Sequence, residues 1–83
     1  MYYVYILECN DGTLYTGYTS NVENRVIQHN KGIGAKYTRG RVPCKLVYVE
    51  EYKTKSDAMS REWYIKHKIN RDGKLKLIYD YNN

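Results

Sequence analysis

This chain contains no phenylalanine, one proline and only two cysteines. Without phenylalanine, its aromatic content falls to 11 tyrosines and one tryptophan. A tyrosine ring is apolar with a polar tip, so it suits surfaces that are part core and part site. Most of the tyrosines are expected simply to build strands, where aromatics are favoured. Cys9 and Cys44 form no Cys-x-x-Cys pair. Together with two histidines they match no zinc-binding spacing, which removes the small zinc-stapled folds. A disulfide stays open, but two buried free thiols in a reducing cytosol are the expectation. There is also no long apolar run. The apolar stretch near the start is too short for a signal peptide or a membrane span and has no basic leader before it, so a soluble cytoplasmic protein without a membrane partner is expected. No repeat, linker or low-complexity segment is present, and 83 residues amount to one domain, taken as 1–83.

Acidic residues are missing from Arg25 through Val49, where Arg25, Lys31, Lys36, Arg39, Arg41 and Lys45 all carry positive charge. Lys66, Lys68, Arg71, Lys74 and Lys76 form a second basic cluster. The net charge of +5 implies a polyanionic partner, either nucleic acid or an acidic membrane surface, and charge alone does not choose between them. Tyr37 is interleaved with the first basic stretch, and Gly32, Gly34 and Gly40 keep its backbone accessible. That mixture suits phosphate contact and base stacking, or else an ordinary solvated loop.

Residues 2–8 are almost continuously apolar and rich in β-formers, so they read as a strand buried on both faces. Asn10-Asp11-Gly12 is a hairpin turn, and 13–19 is the returning strand. Ser20 and Glu23 have capping-box spacing, which predicts a helix over 21–30 with Ser20 as N-cap and Gly32 just past its end. Val22 and Val26, helped by Ile27, would form its inward stripe. Residues 32–43 read as a loop and 44–52 as a third strand. Thr54 or Ser56 caps a second helix over about 56–69. Lys74–Tyr79 would be a short last helix followed by a frayed tail.

Within the second helix, Ala58, Glu62, Ile65 and Ile69 share one face, so a carboxylate interrupts an apolar stripe. Burying it alone costs several kcal/mol, so it needs an arginine, hydrogen bonds or a metal ion. Either Glu62 is a half-exposed carboxylate paired with Arg25 or Arg61, or it belongs to a site. Arg25 and His29 stand at i and i+4 on one helix face. They fit a phosphate clamp with a proton carrier, or a solvated surface. Tyr5 and Tyr15 fall on strands that the turn should pair, so their rings can share a face. They are either core tyrosines or phenols placed for chemistry, although a free phenol with a pKa of about 10 is a poor base at neutral pH.

Taken in order, these residues resemble the GIY-YIG nuclease superfamily, and in particular its small bacterial UPF0213 branch. Tyr3-Val4-Tyr5 is similar to the first motif, and Tyr15-Thr16-Gly17 to the second, with threonine in place of isoleucine. Arg25 and His29 follow at the family's spacing, and Glu62 with Ile65-Lys66 is similar to its metal-binding helix. Gly34 through Arg41, with Pro43 and Lys45-Leu46-Val47-Tyr48, looks like the loop and third strand of the small branch. The resemblance covers about residues 2–78.

It implies an α+β fold, a three-stranded antiparallel sheet flanked by helices in the order β-β-α-β-α-α. It also implies a metal-dependent endonuclease acting on DNA in preference to RNA, with branched, nicked or damaged forms as candidate substrates, and leaving a 5′-phosphate and a 3′-hydroxyl. By this resemblance Glu62 would bind one Mg²⁺ or Mn²⁺. Tyr5 would be the general base, Tyr15 would position water or phosphate, Arg25 would stabilise phosphate charge, and His29 would support a tyrosine or the proton path. Lys31, Lys36, Tyr37, Thr38, Arg39, Arg41, Lys45 and Lys66 would contact the nucleic acid. Tyr3 replaces the glycine of the first motif, Tyr18 stands where some repair relatives have a lysine, and Asn70 is the candidate for the closing asparagine. No targeting domain is apparent, so a targeting partner is an expectation. A non-catalytic binding module, or a nuclease subunit active only with a partner, is the alternative.

Overall fold

The computed structural model describes residues 1–83. The chain forms β1 (Tyr2–Glu8), β2 (Leu14–Thr19), α1 (Val22–Asn30), β3 (Lys45–Tyr52), α2 (Lys55–Lys68) and α3 (Arg71–Asn82). The sheet is antiparallel in the order β2-β1-β3, so the most apolar segment takes the centre. This is the expected α+β architecture.

Side chains alternate across a strand, so β1 feeds two cores. Val4 and Ile6 join Tyr48, Ala58 and Ile65 on the α2 face. Tyr5, Leu7 and Cys9 join Cys44 on the α1 face, with Val26 and Tyr15 packed against them. Burial of each large aliphatic side chain contributes about 1.5–3 kcal/mol, and Val4, Ile6, Leu7 and Ile65 are all fully buried.

The hairpin turn closes as expected. Gly12 takes a positive φ of 83°. The Asp11 carboxylate accepts from both the amide and the hydroxyl of Thr13. Cys9 and Cys44 are buried free thiols with their sulfurs 3.6 Å apart. Burial, first of all, pushes the Cys44 thiol up to about 11.

Helix ends depart from the sequence reading in three places. The N-cap of α1 is Asn21 rather than Ser20, because β2 runs to Thr19 and the Asn21 side chain accepts from the Asn24 amide. Asn caps a helix at least as well as Ser, and Glu23 still favours the positive end of the helix dipole. Ile27 does not join the inward stripe; it is 48% exposed. The last helix is longer at both ends. Asn70 caps it by accepting from Gly73, and the end read as frayed is helical, with Asn82 donating to the free carbonyl of Val47 on the sheet edge. Thr54 caps α2 as expected.

α2 is fixed to the sheet along one flank. Glu50 on β3 accepts two hydrogen bonds from Arg61, at 2.9 and 3.0 Å, and others from Tyr48 and Tyr52. Arg61 is therefore not the partner of Glu62. Its flank faces β3, which leaves the opposite flank, carrying Glu62 and Lys66, over β2.

Candidate active site

The antiparallel register sets the geometry. Tyr5 pairs with Gly17 and Leu7 with Tyr15, so Tyr5, Tyr15 and Gly17 lie on one face. The two tyrosine rings are 6.4 Å apart. Gly17 is required by close approach: a Cβ there would lie 2.5 Å from the Tyr5 hydroxyl and 2.7 Å from its Cζ. A cleft of about 400 Å³ opens at this point, lined by Tyr5, Tyr15, Gly17, Arg25, Gln28 and Glu62 among others. Three elements, the β1–β2 pair, α1 and α2, thus bring the candidate tyrosines, Arg25 and Glu62 together around one opening.

His29 lies behind Tyr5, fully buried. The Tyr5 hydroxyl is 2.8 Å from His29 Nε2. On the other side of the ring, Nδ1 is 2.8 Å from Thr38 Oγ1, and that hydroxyl donates to the carbonyl of Ala35 at 3.1 Å. A hydroxyl has one proton. With its proton on Ala35, Thr38 can only accept from His29, so the ring is protonated at Nδ1. Nε2 is then bare and accepts the Tyr5 proton. Burial and then the charge of Arg25 lower the His29 pKa to about 4, so the ring is neutral at physiological pH. Burial, opposed by Arg25, pushes the Tyr5 phenol up to about 12.

Arg25 is oriented from within the loop it faces. It donates to the Gly34 carbonyl at 2.8 Å and to Gln28 at 3.1 Å. An arginine has five donors, so others remain for the cleft. Gly34 is needed here too, because a Cβ would come within 2.5 Å of His29 Nδ1. The ion-pair partner of Glu62 is Lys66, at a loose 3.5 Å, rather than Arg25 or Arg61. No group of three or more acidic, histidine or cysteine side chains is gathered anywhere in the chain.

Around Tyr15 the basic and aromatic side chains are ordered. Tyr37 stacks against Tyr15 at 5.8 Å, and Arg41 lies 4.4 Å over the Tyr37 ring while also pairing with Asp11. Lys66 sits 5.6 Å over Tyr15. A second cleft of about 300 Å³ lies beside the first, lined by Leu14, Tyr15, Thr16, Tyr37, Lys66 and Lys74. Lys31, Lys36, Arg39 and Lys45 are exposed, and none forms an ion pair.

Thr38 is the exception among the expected nucleic-acid contacts. It is fully buried and its hydroxyl is occupied by His29 and Ala35, so it orients the histidine instead of meeting a ligand. Asn70, the candidate closing asparagine, is a helix cap. Gln28 lines the first cleft without any motif that marks it, and Lys74 of the second basic cluster lines the second. Gln28 stands in the last turn of α1 beside Arg25, and its i+3 spacing from Arg25 is the available signal.

A larger groove of about 820 Å³ runs between α1 and β3, lined by Val22, Val26, Ile27, Leu46 and Val49 among others. None of its lining residues is Lys, Arg or His, so size does not locate the chemistry.

Comparison with known proteins agrees with the fold. Residues 1–76 match the GIY-YIG catalytic domain. A UPF0213 protein of Clostridium perfringens is 60% identical over 78 residues, covering 94% of this chain and 83% of that protein. A UPF0213 protein of Natronomonas pharaonis is 56% identical over 79 residues, covering 95% of this chain and 92% of that protein. The solution structure of a UPF0213 protein from Bacillus halodurans superposes with a TM-score of 0.60 at 49% identity, covering 95% of this chain and 84% of that one. The chain belongs to the GIY-YIG family, in its UPF0213 branch.

Proposed function

We propose that this protein is a metal-dependent endonuclease that hydrolyses DNA phosphodiester bonds. The observation that carries the reading is the Tyr5 hydroxyl, held 2.8 Å from a neutral His29 at the wall of a cleft that also holds Arg25 and Glu62.

A phenol raised to about 12 is not a phenolate at neutral pH. It can still accept a proton on its oxygen while passing its own to Nε2 of His29. Water at the cleft would lose its proton to Tyr5 as the Tyr5 proton moves to the imidazole, and Thr38 holds the ring in the tautomer that permits this. Such positioned proton transfer contributes typically about 10²–10⁴-fold. Arg25, anchored on Gly34 and Gln28, offers its remaining donors to the phosphate, whose charge grows on attack.

A single carboxylate without clustered partners suits a hard cation that keeps most of its water shell, so Mg²⁺ or Mn²⁺ fits Glu62 and a zinc site does not. When bound, such an ion would supply charge stabilisation at the phosphate and leaving oxygen. The unpaired Lys31, Lys36, Arg39 and Lys45, with Arg41, Tyr37 and Lys66, supply the nucleic-acid surface.

The test is nicking of supercoiled plasmid and of a branched oligonucleotide in Mg²⁺ or Mn²⁺. Cleavage by the wild type, lost in Glu62→Ala and Tyr5→Phe with the fold intact, is the expected result. Affinity should fall with salt at a log–log slope of about −0.7 to −0.9 per phosphate contacted. Binding without cleavage in either metal would instead favour a binding module or a nuclease that needs a partner.

A further inference from the structure

The α2 flank that carries Glu62 does not end at the cleft. Lys66, one turn on from Glu62, touches both Glu62 and the ring of Tyr15. The next ridge outward is formed by Met59, Trp63 and His67, spaced i, i+4, i+8, with Trp63 an i, i+3 neighbour of Lys66. The opposite flank is held to β3 by Arg61, and this ridge lies beyond Lys66 on the outward face of α2. Trp63 is the only tryptophan, and it is 53% exposed, next to an exposed Met59. The His67 ring lies 4.9 Å from it and supports it along the helix. Lys68 Nζ is 5.7 Å from its ring.

An apolar ring of this size has no core to join here. The cation at the ring is Lys68, and Lys66 over Tyr15 and Lys74 in the second cleft carry positive charge from there toward the Tyr5 cleft, with Glu62 the only acid on the flank. Charge of that sign around an open aromatic face matches a strand of nucleic acid, with phosphates on the lysines and a base on the ring.

We propose that Trp63 is a stacking subsite for an unpaired nucleobase flanking the scissile phosphate, on a strand that leaves the Tyr5 cleft past Tyr15 and Lys66. This rests on the nuclease reading and narrows the substrate class to nucleic acid with single-stranded or opened character beside the cut. A base inside a continuous duplex presents no free face to such a ring.

As the lone tryptophan, Trp63 reports on its own site. Fluorescence of the Glu62→Ala chain is titrated with a short single-stranded oligonucleotide, a blunt duplex of equal length and inorganic polyphosphate, with anisotropy of labelled DNA read in parallel. Base-dependent quenching by the single strand, and none by polyphosphate, is the expected result. Trp63→Ala should weaken single-strand binding by about 5- to 100-fold, the range that one aromatic–base stack supplies. Trp63→Tyr should restore most of it and blunt-duplex binding should hardly change, with circular dichroism confirming the fold. DNA binding seen by anisotropy with no quenching and no loss in Trp63→Ala would overturn the subsite. Absence of binding to any of these nucleic acids at low salt would remove the nucleic-acid reading itself, and the subsite with it.

Discussion

Gly17 faces Tyr5 across the β1–β2 ladder so closely that a methyl group at Gly17 would meet the phenol at 2.5 Å. Tyr5 is 1% exposed and cannot step aside without breaking its bond to His29. Gly17→Ala should therefore cost about 1–3 kcal/mol through overpacking. For a domain of this size Tm moves by about 4–8 °C per kcal/mol. Cleavage should fall further than stability accounts for, because the displaced group is the proposed proton acceptor. Thermal melts and plasmid nicking on the same preparation check this. An alanine variant that keeps wild-type cleavage would mean the phenol is not held where its contacts place it.

Tyr5→Phe removes one hydroxyl and keeps the ring. It leaves His29 Nε2 as a buried acceptor without a partner, at a cost of about 1–3 kcal/mol. Cleavage should drop on the order of 10²–10⁴-fold, while DNA affinity stays close to wild type. Glu62→Ala should also stop cleavage but leave the pairing of Tyr5 with His29 untouched. Single-turnover cleavage beside anisotropy separates the two. Equal losses of binding and cleavage in Tyr5→Phe would place the phenol in DNA contact instead of proton transfer.

The strands, their order along the chain and the shared face of Tyr5 and Tyr15 were legible because runs of β-formers and a turn with Asp11 and Gly12 fix them locally. The ordered set of tyrosines, arginine, histidine and glutamate was legible, and the fold gathers the tyrosines, Arg25 and Glu62 around one cleft with His29 buried behind Tyr5. Partners set by the fold were not. Nothing near Thr38 in sequence says that it sits under His29, and a threonine in a basic loop reads as a surface residue. The partner of Glu62 was sought among arginines, but Arg61 points the other way because Glu50, on a different strand, is already in reach. The α1 cap moved by one residue because β2 runs to Thr19 and Asn21 is as able as Ser20 to accept from the helix. The final helix was underestimated because its end is secured from outside, through the Asn82 bond to Val47.

Thr38→Val keeps the shape of the side chain and deletes the hydroxyl. The Nδ1 proton of His29 then loses its acceptor, at about 1–3 kcal/mol, and the ring is free to carry its proton on either nitrogen. Nitrogen NMR of the imidazole should show loss of the pure Nδ1–H tautomer, with cleavage falling and DNA affinity nearly unchanged. Thr38→Ser should recover both tautomer and rate. A Thr38→Val chain that binds DNA poorly but keeps its tautomer would return Thr38 to the nucleic-acid surface.

His29 also makes folding sensitive to pH, with a definite sign. Its pKa is about 4 in the fold against 6.5 for the free side chain, lowered by burial and by Arg25. As pH falls through 6.5 the unfolded chain takes up a proton that the folded chain refuses down to about 4. The unfolded state binds more protons across that window, so stability declines with falling pH there and is flat above it. The full span is worth roughly 3 kcal/mol, at about 1.4 kcal/mol per pKa unit. Urea unfolding of wild type and His29→Gln, followed from about pH 7 to about pH 4, isolates this contribution as the difference between the two curves. The difference should shrink steadily on acidification, because glutamine has no proton to refuse. Parallel curves would mean that His29 titrates normally and is not the sealed, neutral acceptor that the Tyr5 relay requires.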